Sequence, residues 1–192
     1  MTPRARPMTP DDRREALVEA TLPLLLAHGR AVTTKQIADA AGVAEGTIFR
    51  VFDSKDDLVM AAVEKALDMK PFLADLASVD VEQPFRERLT ALCALLQERF
   101  RDIFALMTAM GMVGPPKDHR HVEEGRRRAE KVMVAVVDPD ADRLTCTSAQ
   151  LVHMLRMLTF SATHPHISDG HLLTPDQIVG TLLDGVLRTK DA

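Results

Sequence analysis

Residues 33–51 read Thr-Thr-Lys-Gln-Ile-Ala-Asp-Ala-Ala-Gly-Val-Ala-Glu-Gly-Thr-Ile-Phe-Arg-Val, and their pattern of side-chain sizes is the most informative in the chain. Ile37 and Ala38 place an apolar and then a very small side chain on a short helix. Gly42 follows, and glycine is the residue best suited to a turn with positive φ. Ile48 then returns an apolar side chain to the same core. Two short helices that cross steeply over a tight turn require this order of sizes.

The sizes and spacing between Thr34 and Val51 therefore predict a helix-turn-helix. Each match alone is common, whereas the joint match is not. An ordinary antiparallel pair of helices joined by a glycine turn is the alternative interpretation of the same residues.

Helical periodicity also dominates the rest of the chain, and no hairpin signal predicts a strand. The sequence therefore predicts an all-α fold of about nine helices. Residues 1–10 contain three prolines and two arginines and are expected to form a disordered arm. Pro71 is expected to end the fourth helix. We place a domain boundary there. An N-terminal three-helix unit with the helix-turn-helix is expected at 11–70, and a helical bundle is expected at 71–192. The predicted helices cover about 11–28, 34–42, 44–52, 54–69, 84–100, 103–110, 119–137, 141–162 and 175–187.

Composition and charge limit the possible classes of protein. Apolar runs such as Leu22 to Ala27 are too short to cross a bilayer, and no signal peptide is visible, so a cytoplasmic protein without a membrane partner is expected. Cys93 and Cys146 match neither a disulfide framework nor a metal motif and are expected to be reduced, buried thiols. The net charge is −4, and residues 1–55 carry eight Lys or Arg against seven Asp or Glu. Charge alone therefore gives little indication of nucleic-acid binding.

The stretch from Arg14 to Met60 resembles the DNA-binding domain of the tetracycline-repressor (TetR) family. The resemblance implies a sequence-specific transcriptional regulator that binds double-stranded DNA at a palindromic operator as a homodimer. It further implies a repressor that a small hydrophobic ligand, bound by the larger domain, releases from the operator. An activator is the open alternative. The residues that carry the resemblance are Thr33–Ala38, Ala41–Phe49, Phe52 and Ser54–Leu58.

The resemblance also assigns DNA contacts. Thr34 and Lys55 match family positions that grip the DNA backbone, where helix N-termini offer free N–H groups to phosphates. Lys35 and Arg50 are candidates for further phosphate or base contacts. Glu45 is a candidate acceptor for a cytosine amino group, although a favourable charge at a helix N-terminus explains it equally well. The candidate DNA-binding residues are Thr33, Thr34, Lys35, Ala44, Glu45, Gly46, Thr47, Phe49, Arg50 and Lys55.

Three positions depart from the usual family pattern. Phe49 lacks the hydroxyl with which a tyrosine reaches a phosphate, and Ala44 lacks the side-chain cap of a serine, each a loss of about 1 kcal/mol. Val51 replaces a frequent histidine or tyrosine. These departures predict a weaker grip on the DNA backbone. Arg4 and Arg6 of the arm are candidates for compensating contacts in the minor groove, the alternative being a solvated tail.

The larger domain is expected to contain an apolar ligand cavity. The chain has ten methionines and neither tryptophan nor tyrosine, and methionine side chains adapt to varied ligands. Ordinary core packing is the alternative explanation for each methionine. A core or interface position is the alternative explanation for His153. The candidate ligand-binding residues are Phe104, Met107, Met110, Met133, His153, Met157 and Phe160.

The last two predicted helices are the candidate dimer interface, because the final two helices of each subunit form the dimer in the family that the chain resembles. Two-fold symmetry would place two recognition helices on a palindrome. The apolar side chains assigned to this interface are Leu151, Val152, Leu155, Leu158, Ile178, Val179, Leu182, Leu183 and Val186.

A metal site is the alternative hypothesis for a loop near the C-terminus. His164, His166, Asp169 and His171 are suitable ligands for Zn²⁺ or Ni²⁺ and would make the protein a metal-sensing regulator or a metal-dependent enzyme. A solvated loop is the favoured interpretation. The sequence has no nucleophile motif, no helical His-Glu-x-x-His and no phosphate-binding glycine loop. Neither an enzymatic activity nor a cofactor is therefore expected.

Overall fold

A computed structural model describes residues 9–112 and 120–186, which form eight α-helices and three 3-10 helices and contain no strand. The all-α prediction is confirmed, and the eight α-helices in these ranges are close to the predicted count of about nine. No helix in the described ranges is long and apolar enough to cross a membrane. The α-helices are α1 (Pro10–His28), α2 (Thr34–Ala41), α3 (Lys55–Ala66), α4 (Lys70–Ala77), α5 (Phe85–Met110), α6 (Arg120–Val137), α7 (Ser148–Thr163) and α8 (Pro175–Val186), and the 3-10 helices are Gly29–Ala31, Glu45–Arg50 and Asp138–Arg143.

The described residues divide into two compact units. The first unit contains residues 9–67 and 105–112, and the second contains residues 68–104 and 120–186. Helix α5 contributes residues to both units. The sequence places a boundary at residue 70 but gives no indication that residues 105–112 belong to the first unit.

Helix α1 begins with a capping box. The hydroxyl of Thr9 accepts a hydrogen bond from the N–H of Asp12, and the carboxylate of Asp12 accepts one from the N–H of Thr9, both at 3.1 Å. Pro10 lies in the first turn, where the N–H that proline lacks would have no helical partner. Thr9 and Pro10 therefore belong to the start of the helix and not to the predicted arm. Arg4 and Arg6 lie outside the described residues.

The first unit has one apolar core, to which α1, α2, α3 and the Glu45–Arg50 helix all contribute. Ile37, Ala38 and Ile48 are at most 1% exposed, so the three sizes that predict the helix-turn-helix are all used in packing. The end of α5 adds Leu106 and Met110 to the same core. Removing these side chains from water is the main force that holds the short helices together.

Pro71 begins a helix and does not end one. Helix α3 already ends at Ala66, and Pro71 lies in the first turn of α4. The prediction of a helix reaching Met69 was wrong because proline is compatible with the start of a helix as well as with the end of the preceding one.

Two further boundaries differ from the prediction. The two helices predicted at 84–100 and 103–110 are one helix of 26 residues, α5. The helix predicted to start at Ala141 starts at Ser148, because Thr147 and Gln150 form a capping box there. A capping box satisfies the first free N–H groups of a helix and fixes its starting residue.

The second unit is built from α4, α6, α7, α8 and most of α5, and α7 packs against α6 and α8. Arg88 is buried in this unit, where it forms an ion pair with Asp140 and donates a hydrogen bond of 2.7 Å to the carbonyl of Val136. This contact fixes the start of α5 to the end of α6.

Most of the apolar side chains assigned to a dimer interface are part of the core of the second unit. They are buried because α7 and α8 pack on each other, so a single subunit covers them without a partner. Leu158 and Leu182 are only partly buried, and the side chain of Val186 lies outside the described part of the chain. The buried members are Leu151, Val152, Leu155, Ile178, Val179 and Leu183.

Gly29 and Gly42 both adopt positive φ but differ in the space around them. A Cβ on Gly29 would lie 2.2 Å from the carbonyl oxygen of Ala109, whereas a Cβ on Gly42 would meet nothing within 4 Å. We expect Gly29→Ala to lower the free energy of unfolding by about 3 kcal/mol or more, because steric overlap adds to backbone strain. Gly42→Ala should cost about 1 kcal/mol from backbone strain alone.

Urea unfolding of both variants, followed by circular dichroism, measures these two losses. Equal losses would contradict the close approach of Gly29 to Ala109.

Candidate nucleic-acid interface

The turn between α2 and the Glu45–Arg50 helix is made by Gly42, which has φ 67° and ψ 32°. Its N–H donates to the carbonyl of Asp39 at 3.3 Å, and the N–H of Val43 donates to the carbonyl of Ala38 at 3.0 Å. These bonds satisfy carbonyls that the end of α2 leaves free. The positive φ that the sequence predicts for Gly42 is confirmed, and Val43 packs against the core.

A second capping box defines the start of α2. The hydroxyl of Thr33 accepts from the N–H of Gln36 at 3.2 Å, and the side-chain oxygen of Gln36 accepts from the N–H of Thr33 at 2.8 Å. Thr34 and Lys35 therefore occupy the first turn of α2, and Lys35 is exposed.

The helix after the turn is a 3-10 helix of six residues, Glu45–Arg50, which is shorter than the helix predicted at 44–52. Ala44 occupies its N-cap position and offers no side-chain cap. Ile48 is fully buried and anchors the helix, while Phe49 is 56% exposed and Arg50 is also exposed. Burial of the one side chain thus leaves an aromatic ring and a guanidinium on the solvent side.

One hydrogen bond connects the two helices of the motif at their first residues. The hydroxyl of Thr34 donates to Oε1 of Glu45 at 2.5 Å. Sequence reasoning missed this bond because the two residues lie on different helices and no local pattern relates them. The predicted helix-turn-helix geometry is the only signal that brings their positions near each other.

Lys55, which is predicted to contact the DNA backbone, also stabilises the fold of the first unit. Its ammonium donates to the carbonyl of Arg30 at 3.2 Å and to the carbonyl of Val32 at 3.0 Å, which holds the connection between α1 and α2. Ser54 caps α3 by accepting from the N–H of Asp57, which places Lys55 at the first position of that helix. An ammonium has three N–H donors, so one of them remains for a phosphate.

The candidate DNA-binding residues all lie in the first unit, and each is at least partly exposed. Lys35, Arg50 and Lys55 give this set positive charge, and Glu45 is its one carboxylate. DNA phosphates attract the three cations and repel the carboxylate. The surface therefore combines groups suited to a polyanion with one group that opposes it.

The candidate ligand-binding residues are brought together only in part. The rings of Phe104 and Phe160 meet edge to face, with their centroids 5.0 Å apart. Phe100 lies against both rings, at 6.0 Å and 5.3 Å. Met133 is buried in the core of the same unit.

The other members of that set are placed elsewhere. His153 and Met157 are exposed on α7, and Met157 is 49% exposed. Met107 and Met110 belong to the first unit, where Met110 packs into the core. Spacing along a helix therefore groups residues that packing separates.

A shallow pocket of about 550 Å³, open to solvent, lies in the second unit between the Asp138–Arg143 helix and the start of α7. None of the candidate ligand-binding residues is among the residues that line it.

The two cysteines differ in burial. Cys146 lines this pocket and is half-buried, which differs from the predicted burial, whereas Cys93 is fully buried. Burial raises the pKa of the Cys93 thiol, which keeps it protonated at neutral pH.

The metal-site hypothesis is not favoured. Within residues 9–112 and 120–186, no three His, Cys, Asp or Glu side chains lie close enough to share a metal ion. The ring of His164 packs edge to face on Phe104, and its Nδ1 accepts a hydrogen bond of 3.3 Å from the N–H of His166. Nδ1 of His164 is therefore engaged in a hydrogen bond within the loop.

Comparison with known sequences places the matching region in the first unit. The family model for bacterial regulatory proteins of the tetR family matches residues 17–62. The uncharacterized HTH-type transcriptional regulator YvkB of Bacillus subtilis (strain 168) is 33% identical over 100 residues, which are 52% of this chain and 51% of that protein. The matched region thus spans about half the length of this curated relative.

Comparison with solved structures extends the similarity of fold over most of the chain. A TetR transcription regulator from Haloarcula marismortui is 23% identical, with a TM-score of 0.65 over 93% of this chain and 100% of that one. A tetR-family regulator from Streptomyces coelicolor is 22% identical, with a TM-score of 0.63 over 93% and 80% of the two chains. The reduced form of NemR from E. coli is 17% identical, with a TM-score of 0.62 over 93% and 100%. At these identities the likeness concerns the fold.

Variants of Lys55 and Lys35 distinguish a contribution to folding from a contribution to DNA binding. Lys55→Met removes two hydrogen bonds to carbonyls, so we expect the free energy of unfolding to fall by about 1–3 kcal/mol and binding to duplex DNA to weaken. Lys35→Met should weaken binding to every duplex and reduce the salt dependence by about one phosphate contact, with stability unchanged. Thermal unfolding and duplex binding at several salt concentrations measure both effects. Unchanged stability of Lys55→Met would contradict the structural task assigned to this lysine.

Proposed function

We propose that the chain is a member of the tetR family of bacterial regulatory proteins, and that it is a repressor that binds a palindromic operator as a homodimer. A small hydrophobic molecule bound by the second unit would release it. The observation that carries the proposal is the first unit itself. There the buried Ile48 fixes a short helix whose exposed side chains include Phe49 and Arg50.

The exposed residues divide into two kinds of proposed DNA contact. Lys35 and Arg50 would contact phosphates, which position the protein without reading sequence. The free N–H groups in the first turn of α2, where Thr34 lies, would bind a phosphate in the same way. Phe49, 56% exposed, would lie in the major groove, where the thymine methyl is an apolar partner for a phenyl ring. Thr47 belongs to the same helix and is partly exposed.

Homodimer formation is proposed through the solvent faces of α7 and α8. The exposed face includes His153 and Met157 on α7 and Thr181 on α8. Met157, 49% exposed, would be an apolar centre of the contact. A two-fold axis would then carry two copies of the Glu45–Arg50 helix to successive major grooves, about 34 Å apart.

The effector is proposed to be small and apolar. The edge-to-face rings of Phe104 and Phe160 in the second unit, and the buried Met133 in the same unit, offer aromatic and deformable partners. Release requires the ligand to bind a conformation that does not fit the operator more tightly than the one that does. Repression is proposed from the family alone, and a regulator of this kind would act in the cytoplasm, where its DNA lies.

Selection from a pool of random duplexes at fixed salt, followed by sequencing, tests the proposal. We expect an enriched inverted repeat whose half-sites are one helical turn or a multiple of it apart, about 10 bp per turn. Arg50→Gln should weaken binding to the enriched duplex by about tenfold. Arg128→Gln is the matched control, because Arg128 is an exposed arginine of the second unit that pairs with Glu124, and it should bind as the unaltered protein does.

A folded dimer that enriches no sequence would contradict the proposal. An enriched duplex would then be the probe with which small apolar compounds are screened for release.

A further inference from the structure

The hydrogen bond between Thr34 and Glu45 lies on the surface that is proposed to face DNA. Thr34 is half-buried in the first turn of α2, and Glu45 is exposed at the first position of the Glu45–Arg50 helix. The donor is the hydroxyl of Thr34, and the acceptor is Oε1 of Glu45, at 2.5 Å. A bond from a neutral hydroxyl to an ionised carboxylate is charge-assisted.

The donor of this bond is held firmly. The capping box between Thr33 and Gln36 fixes the backbone of the first turn of α2, and a β-branched side chain such as Thr34 has few χ1 rotamers. A glutamate that is free in solvent has several rotatable bonds, and ordering it costs conformational entropy. The bond from Thr34 restricts these rotations before any DNA binds, so Glu45 presents its carboxylate in one orientation.

The carboxylate keeps the capacity to accept more hydrogen bonds, because its two oxygens together offer about four lone-pair sites. It has no proton to donate when ionised. In the major groove, guanine presents only acceptors and thymine presents an acceptor and a methyl group, so both are poor partners. Adenine offers its N6 amino group next to the N7 acceptor, which would repel a carboxylate. Cytosine offers its N4 amino group without an acceptor on the same base, and it is the base that best suits Glu45.

We propose that Glu45 reads a cytosine amino group in each operator half-site and that Thr34 is the positioning residue that holds Glu45 for this contact. This inference rests on the proposed function, since it requires that the Glu45–Arg50 helix enters the major groove. It also explains why one carboxylate stands among Lys35 and Arg50: repulsion from phosphates weakens binding to DNA in general, and only a site with cytosine at the right place compensates for it.

The test uses four versions of the protein in the same duplex selection: unaltered, Glu45→Gln, Thr34→Val and Thr34→Ser. Competition between duplexes that differ at single positions then gives the preference for each base. The unaltered protein should prefer cytosine at one half-site position by about tenfold over the other bases. Glu45→Gln should move this preference to adenine, because glutamine donates to N7 and accepts from N6.

The two threonine variants examine the positioning role. Thr34→Val keeps the shape but removes the hydroxyl, so the preference for cytosine should fall severalfold without a gain for another base. Thr34→Ser retains a hydroxyl and should retain the preference. Thermal unfolding establishes that each variant is folded.

The possible results separate this inference from the proposed function. If Thr34→Val binds all duplexes more weakly but keeps the full preference for cytosine, Thr34 is a phosphate contact and its positioning role is wrong. If Glu45→Gln has the same preferences as the unaltered protein and only a lower thermal stability, Glu45 serves the helix N-terminus and the reading role is wrong. If the unaltered protein enriches a palindrome with no cytosine that responds to Glu45, the proposed function stands and this inference fails. If it enriches nothing, both fail.

Discussion

The left-handed backbone of Gly42 is the constraint on which the first unit depends. It reverses the chain within a few residues, so that Ile37 and Ile48 enter the same core from two different helices. The Glu45–Arg50 helix is too short to be stable alone, and its position follows from the burial of Ile48. The exposure of Phe49 and Arg50 is therefore a consequence of the turn and of one buried side chain.

Polar contacts fix the helices of the first unit in addition to the apolar core. The ammonium of Lys55 holds the carbonyls that precede α2, and the capping box of Thr33 fixes where α2 starts. The end of α5 closes the unit at the point where Ala109 approaches Gly29. Each of these contacts leaves the first turn of α2 and the Glu45–Arg50 helix free on their solvent sides. An interface for a large and charged partner such as DNA needs a rigid frame of this kind, with polar groups on its solvent side.

Sequence reasoning predicted the features that depend on local size and backbone conformation. The turn at Gly42 and the buried positions of the motif follow from spacing alone. Pro71 was misassigned because proline suits a helix start and follows a helix end equally well. The contact of Thr34 with Glu45 depends on how two helices cross, which no local pattern encodes.

The ligand and dimer assignments show a different limit of prediction from sequence. Apolar residues at helical spacing indicate that one face of a helix is covered, but not by what. Met133 and Leu155 are covered by their own subunit, whereas Met157 is left exposed.

Backbone amide chemical shifts of the protein, recorded while the enriched duplex is added, show which residues contact DNA. If DNA binds to the helix-turn-helix, as proposed, the contact lies on the first turn of α2 and on the Glu45–Arg50 helix. The largest shifts are therefore expected at residues 33–35 and 44–50, with smaller ones around Lys55. Shifts confined to residues 120–186, with the amides of the helix-turn-helix unchanged, would contradict the claim that this motif is the DNA-binding surface.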